Sequence, residues 1–154
     1  MPRVFISYSH DSEEHREQVL ALANQLRTDG IDARIDRYDP NPKEGWPRWM
    51  LTQIDEAEYI LLVCTETYKR RFKGKEETGV GQGGTYEGLL ALQVLYEDDT
   101  RNEKLIPILF GDVPKGVIPL PLRPYTHYRL HEGYAALYRF LTDQIEVGMP
   151  PLGD

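Results

Sequence analysis

Val4-Phe5-Ile6-Ser7-Tyr8-Ser9-His10-Asp11 opens on a short apolar run and turns abruptly polar. A long amphipathic pattern follows from Ser12 onward. A buried strand that delivers hydroxyls to its carboxyl end, just before a helix, is the unit of an open parallel α/β sheet. Ligands of such sheets sit at that edge. Asp11-Ser12-Glu13-Glu14 reads as a helix start, with Asp11 as cap and Glu14 three residues on. Val19, Leu22, Ala23 and Leu26 then repeat at i, i+3, i+4, i+7, one apolar helical face. Asp29-Gly30 stops the helix.

The rest of the chain alternates in the same way. Ile31 to Arg37 places Ile31, Ala33 and Ile35 against Asp32, Arg34 and Asp36, a strand with one polar face that belongs near a sheet edge. Tyr38 to Gly45 holds two prolines and must be a loop. Trp46 to Glu56 reads as a short helix with Pro47 in its first turn. Tyr59 to Cys64 is apolar throughout, as a central strand covered on both faces requires. Residues 65–84 are charged and glycine-rich and read as a long loop, mobile in part. Thr85 to Tyr96 returns to helical spacing. Lys104 to Phe110 is a fourth strand and Tyr125 to Leu130 a fifth. Between them, Gly111 to Pro124 has too many prolines for regular structure. Tyr134, Leu137, Tyr138, Leu141 and Ile145 mark a closing helix. Alternating strands and helices imply right-handed crossovers and a parallel sheet with helices on both faces. Residues 1–146 form one domain, and 147–154 read as a Pro/Gly linker or tail.

Composition excludes several classes. At 154 residues the chain suits one domain. With 40% hydrophobic and 28% charged residues it is neither disordered nor membrane-spanning. A net charge of −7 argues against a general nucleic-acid binder. Met1-Pro2-Arg3 runs straight into strand sequence, so no signal peptide is expected. Cys64 is the lone cysteine and sits in an apolar run, so a reduced, cytoplasmic setting is expected. His15, His127 and His131 have no ligand spacing with Cys64, and no metal site is expected.

Phe5-Ile6-Ser7-Tyr8-Ser9 resembles the first box of the Toll/interleukin-receptor (TIR) domains. Ser9-His10-Asp11-Ser12 and Trp46-Pro47-Arg48-Trp49 are closer to the SEFIR branch of that superfamily, as found in bacteria. Asp36, the proline-rich loop, Cys64-Thr65-Glu66-Thr67-Tyr68 and Gly84-Thr85-Tyr86-Glu87-Gly88 extend the resemblance over roughly residues 3 to 146. Phe110-Gly111-Asp112 stands where the third family box falls, without its usual aromatic pair. The resemblance implies a flavodoxin-like open parallel sheet of about five strands. It makes Tyr38 to Gly45 the BB loop, which gates the site and mediates self-association. It also implies one of two functions, cleavage of NAD at the nicotinamide–ribose bond or purely homotypic adaptor contacts. Bacterial relatives often act as effectors in anti-phage defence.

For the enzymatic reading, Glu87 is the candidate catalytic residue, because enzymatic TIR members place a glutamate there. A carboxylate beside the ribose stabilises an oxocarbenium-like transition state. The leaving group is already a cationic pyridinium, so no general acid is needed. The plain alternative is a first-turn Glu favouring the positive helix end, worth ~0.3–1 kcal/mol. NAD would be substrate rather than cofactor, since the Rossmann fingerprint is absent. Tyr8, Trp46, Trp49 and Tyr86 offer aromatic faces for its bases. Trp49 equally suits core packing, and Tyr8 strand-end packing. Ser9 and His10 are placed for pyrophosphate at the first helix start, or for solvent. Asp36 is placed to bind a ribose or to hold the loop. Thr65 closes the central strand nearby. Gly81, Gly83 and Gly84 give a weak phosphate-cradle signal. Cys64 reads as packing rather than nucleophile. A phosphoacceptor site is discounted, because Ser7-Tyr8-Ser9 and Cys64-Thr65 stand where it needs acids. The basic run Lys69 to Lys73 reads first as a solvated helix face.

Overall fold

The computed structural model describes residues 2–72, 104–144 and 147–153. Five strands and four α-helices follow one another along them. They are β1 (Arg3–Ser7), α1 (Glu13–Thr28), β2 (Asp32–Arg34), α2 (Trp46–Glu56), β3 (Tyr59–Val63), α3 (Glu66–Phe72), β4 (Leu105–Leu109), β5 (Tyr128–Arg129) and α4 (Leu130–Leu141). The five strands form one sheet in the order β2-β1-β3-β4-β5. Every neighbouring pair is parallel, with Phe5 beside Ile60 and Ile60 beside Leu105. This is the parallel sheet expected from the alternation, in the flavodoxin-like form that the family resemblance implies.

The apolar strands are continuous because both sheet faces are covered. Phe5, Ile60, Leu62, Leu105 and Leu109 point to one face and pack with Trp49, Met50 and Ile54 of α2 and Tyr68 and Phe72 of α3. Val4, Ile6, Leu61, Val63, Ile106 and Ile108 point to the other, against Val19, Leu22, Ala23 and Leu26 of α1 and Leu137 and Leu141 of α4. Each fully buried Leu or Ile contributes roughly 1.5–3 kcal/mol over its exposed state. The face of α1 read from the periodicity is the face it buries.

Several expectations are corrected. The cap of α1 is Ser12, whose hydroxyl accepts from the His15 backbone N–H at 3.1 Å. Asp11 instead takes the hydroxyl of Ser9. The second strand stops at Arg34, because Asp36–Tyr38 tighten into a 3₁₀ turn. The fifth has only two residues. The region after Cys64 is not all loop, since α3 occupies its first part and buries Tyr68 and Phe72. The expected helix from Thr85 to Tyr96, with Tyr86, Glu87 and the glycines before it, lies outside the described residues, as does Ile145.

Pro107 lies within β4, where a missing N–H would break a ladder. The carbonyls of Lys104 and Ile108 accept from Ile60 of β3 and from Cys64 just beyond its end. By strand alternation the Pro107 nitrogen faces the β5 side, and β5 begins only opposite Ile108. No donor is wanted there.

Candidate functional site

Crossovers leave the sheet on opposite faces at β1 and β3. α1 packs on one face and α3 on the other, so a crevice opens between the two strand ends. Hydroxyls line that crevice. Ser9 donates to Asp11, and the Thr65 hydroxyl lies 3.3 Å from the Ser9 oxygen across the strand gap. Thr65 also caps α3, accepting from the Tyr68 backbone N–H at 3.1 Å. Beneath them, Ser7 and the Tyr68 hydroxyl are 2.8 Å apart.

Beside the crevice, Tyr8 and His10 converge on one carboxylate. The Tyr8 hydroxyl donates to Asp36 Oδ1 at 2.5 Å, and His10 Nε2 donates to Asp36 Oδ2 at 2.9 Å. Burial pushes the Asp36 carboxyl up, but the hydrogen bonds from His10 and Tyr8 outweigh it and leave the group below its ordinary range. Burial, reinforced by Asp36, holds the Tyr8 phenol well above its ordinary value. Asp36 thereby joins the end of β1 to the root of the loop.

His15 sits deeper. Its ring lies 6.4 Å from Tyr8 and 6.0 Å from Phe110, and its Nε2 has no hydrogen-bond partner. Burial keeps the imidazole below its ordinary value. The buried Cys64 thiol is pushed up to about 12 by burial, and it donates to the Leu62 carbonyl, as an inert packing residue does.

The two tryptophans divide. Trp49 is 5% exposed and meets Phe5 edge-on at 5.8 Å, so it is core. Trp46 is 44% exposed, meets Trp49 edge-on at 5.3 Å and keeps a free face in solvent at the loop exit. Tyr8, Ser9, His10, Asp36, Trp46 and Thr65 therefore cluster at one end of the sheet, while Trp49 lies inside. Tyr86 and Glu87 are outside the described residues. Among the described residues, no group of three or more His, Cys, Asp or Glu side chains could hold a metal ion. The basic run begins as the outer side of α3, where Lys69 donates to the Gly116 carbonyl at 3.1 Å.

Sequence reasoning missed the anchoring of the loop root on α1. Arg37 pairs with Glu17 at 3.1 Å, and the Tyr38 hydroxyl donates to Asn24 at 2.6 Å. The Arg27 guanidinium lies over the Tyr38 ring, 5.9 Å from its centre. A signal was available, since Glu17, Asn24 and Arg27 fall on one side of the helix at i, i+7, i+10.

Comparison with known proteins places this geometry. The family model described as "SEFIR domain" matches residues 2–141. A crystal structure of a prokaryotic SEFIR domain superposes with a TM-score of 0.69 at 27% identity, covering 99% of this chain and 100% of that one. The SEFIR domain of IL-17 receptor B shares the fold at a TM-score of 0.63 and 15% identity, covering 92% and 95% of the two chains. Interleukin-17 receptor D of Gallus gallus is 25% identical over 155 residues, 91% of this chain but 21% of the receptor. The chain thus spans about a fifth of the length of that relative. The matched span runs from β1 to the end of α4 and holds the whole crevice, and on that ground the chain belongs to the SEFIR domain family, within the TIR superfamily.

Proposed function

We propose that this chain is a signalling interaction module, which joins copies of itself or other SEFIR and TIR domains through the loop of residues 38–45. One observation carries the reading. The polar side chains that a substrate would need at the rim are engaged with one another, and the loop beside them is built outward. Tyr8 and His10 both bond Asp36, and Ser9 bonds Asp11. Beyond them Pro40, Asn41, Lys43 and Glu44 are exposed, while Pro42 is buried as a foot. Prolines with fixed φ limit the loop's freedom, which lowers the ordering cost of docking. The likeness to a domain of interleukin-17 receptor D, a receptor by name, supports a recruiting role. A cytoplasmic setting belongs to the same proposal.

A second reading, NAD hydrolysis, rests on Trp46. An aromatic face left in solvent where the loop enters α2 is what a nicotinamide or adenine ring would use. Glu87 would then be the catalytic carboxylate, with Tyr8, Ser9, His10, Asp36, Trp46, Trp49, Thr65 and Tyr86 around the substrate. One experiment separates the two. The protein is followed by sedimentation velocity over a wide concentration range, and in parallel incubated with NAD, with and without a crowding agent, for nicotinamide release. Concentration-dependent association that Lys43→Glu weakens, with no release, is the expected result. Release that Glu87→Gln abolishes in a folded protein would replace it with the enzymatic reading.

A further inference from the structure

Three consecutive side chains at the start of the loop reach three separate anchors. Asp36 is held by Tyr8 and His10 at the sheet rim, at 2.5 and 2.9 Å. Arg37 is held by Glu17 on α1 at 3.1 Å. Tyr38 is held near the end of α1, through Asn24 at 2.6 Å and under the Arg27 guanidinium at 5.9 Å. The backbone explains the fan. Residues Asp36–Tyr38 form one 3₁₀ turn. At three residues per turn, successive side chains leave about 120° apart. A single turn therefore grips both the sheet and the helix.

The fold does not need this grip. β2 is already fastened by buried Ile31, Ala33 and Ile35. The Arg37 and Tyr38 contacts are at the surface, where such pairs add little to global stability. What they restrict is the loop that follows. Its far end is fixed as well. Gly45 takes φ 82°, its N–H bonds the Pro42 carbonyl at 3.1 Å, and Trp46 rests on Trp49. Only residues 39–44 lie between the two fixed ends.

We propose that the turn at residues 36–38 moors the loop, and that Tyr8, His10, Glu17, Asn24 and Arg27 are positioning residues that set its docking geometry. This rests on the interaction-module reading, and it assigns that reading a device: the loop is held ready before a partner arrives. Ordering that would otherwise be lost on association is already in place. None of these five residues needs to touch the partner.

The test uses the full chain and two independent readouts. Backbone hydrogen exchange of residues 39, 41 and 43–45 reports the mooring, and sedimentation velocity reports self-association. The variants are Arg37→Ala, Tyr38→Phe, Tyr8→Phe and the triple. Arg37→Ala and Tyr38→Phe leave the melting midpoint close to wild type, so they carry the test even if Tyr8→Phe folds poorly. Each lost bond speeds loop exchange by roughly 2- to 10-fold, and association weakens by a comparable factor. Lys43→Glu, at the tip, serves as control; it weakens association with exchange unchanged. Exchange in the triple variant equal to wild type overturns the mooring. Faster exchange with unaltered association overturns its role in docking. A wild type that does not associate sinks the module reading instead, while loop exchange still decides whether the turn moors the loop.

Discussion

Asp36 shows how one side chain can serve two segments distant in sequence. It accepts from Tyr8 and His10, and both bonds strengthen because the carboxylate is partly shielded from water. Tyr8→Phe removes one charge-assisted bond and leaves the carboxylate under-satisfied. We expect a loss of about 1–2 kcal/mol in urea unfolding. His15 predicts a pH dependence. Its native pKa lies below the ordinary value because the ring is buried. On acidification the unfolded chain takes up the proton first, so stability falls as pH drops through about 6.5 toward the lowered native value. Above that window its contribution is level. His15→Phe should flatten this slope between about pH 7 and 5, measured as urea midpoint against pH. An unchanged slope would place the titration elsewhere. Cys64 offers a third check. With its thiol buried and raised to about 12, the folded protein should resist thiol reagents at pH 8 and react only on unfolding.

The elements read well where burial alternates along the chain. α2 spans the residues its pattern predicts, and α1 buries the stripe expected of it. The cap of α1 is a finer matter. Ser12→Ala should cost about 1 kcal/mol, because its hydroxyl satisfies the His15 N–H. Asp11→Ala should cost the helix less, since its carboxylate turns to Ser9 instead. Thermal melts of the two variants decide between the caps, and a larger loss in Asp11→Ala would restore the original reading. Asp11 and Ser12 could not be told apart by sequence, because cap preference covers Ser and Asp alike. The short β2 and β5 were overestimated for a related reason. Apolar alternation continues through Ile35 and past Tyr125, yet pairing stops where a neighbouring strand ends or the backbone turns. Length of pairing is a property of the neighbour as much as of the strand.

At the scale of the whole molecule, the two apolar layers meet through a single sheet, so a central strand carries both. Leu61 and Leu62 are adjacent, fully buried and point to opposite layers. Leu61→Ala or Leu62→Ala should each cost about 2–5 kcal/mol, the range for emptying a packed position, read from equilibrium unfolding. Among the described residues, no helix is long and apolar enough to cross a membrane. The candidate site was legible only in part. Sequence brought Tyr8, Ser9, His10, Asp36, Trp46 and Thr65 to one edge, since all stand at strand ends or in the loops after them. That Tyr8 and His10 would close on Asp36 was not legible, because 28 residues separate Tyr8 from its partner.

What the chain determines by itself is periodic. Which residues are strand or helix, and which face of each turns inward, follows from local spacing of apolar side chains against water. The strand order, the crevice between β1 and β3, and the grip on residues 36–38 depend on which elements lie side by side. Those choices are made by packing two layers around one sheet, where contacts join residues far apart along the backbone. No local pattern encodes them.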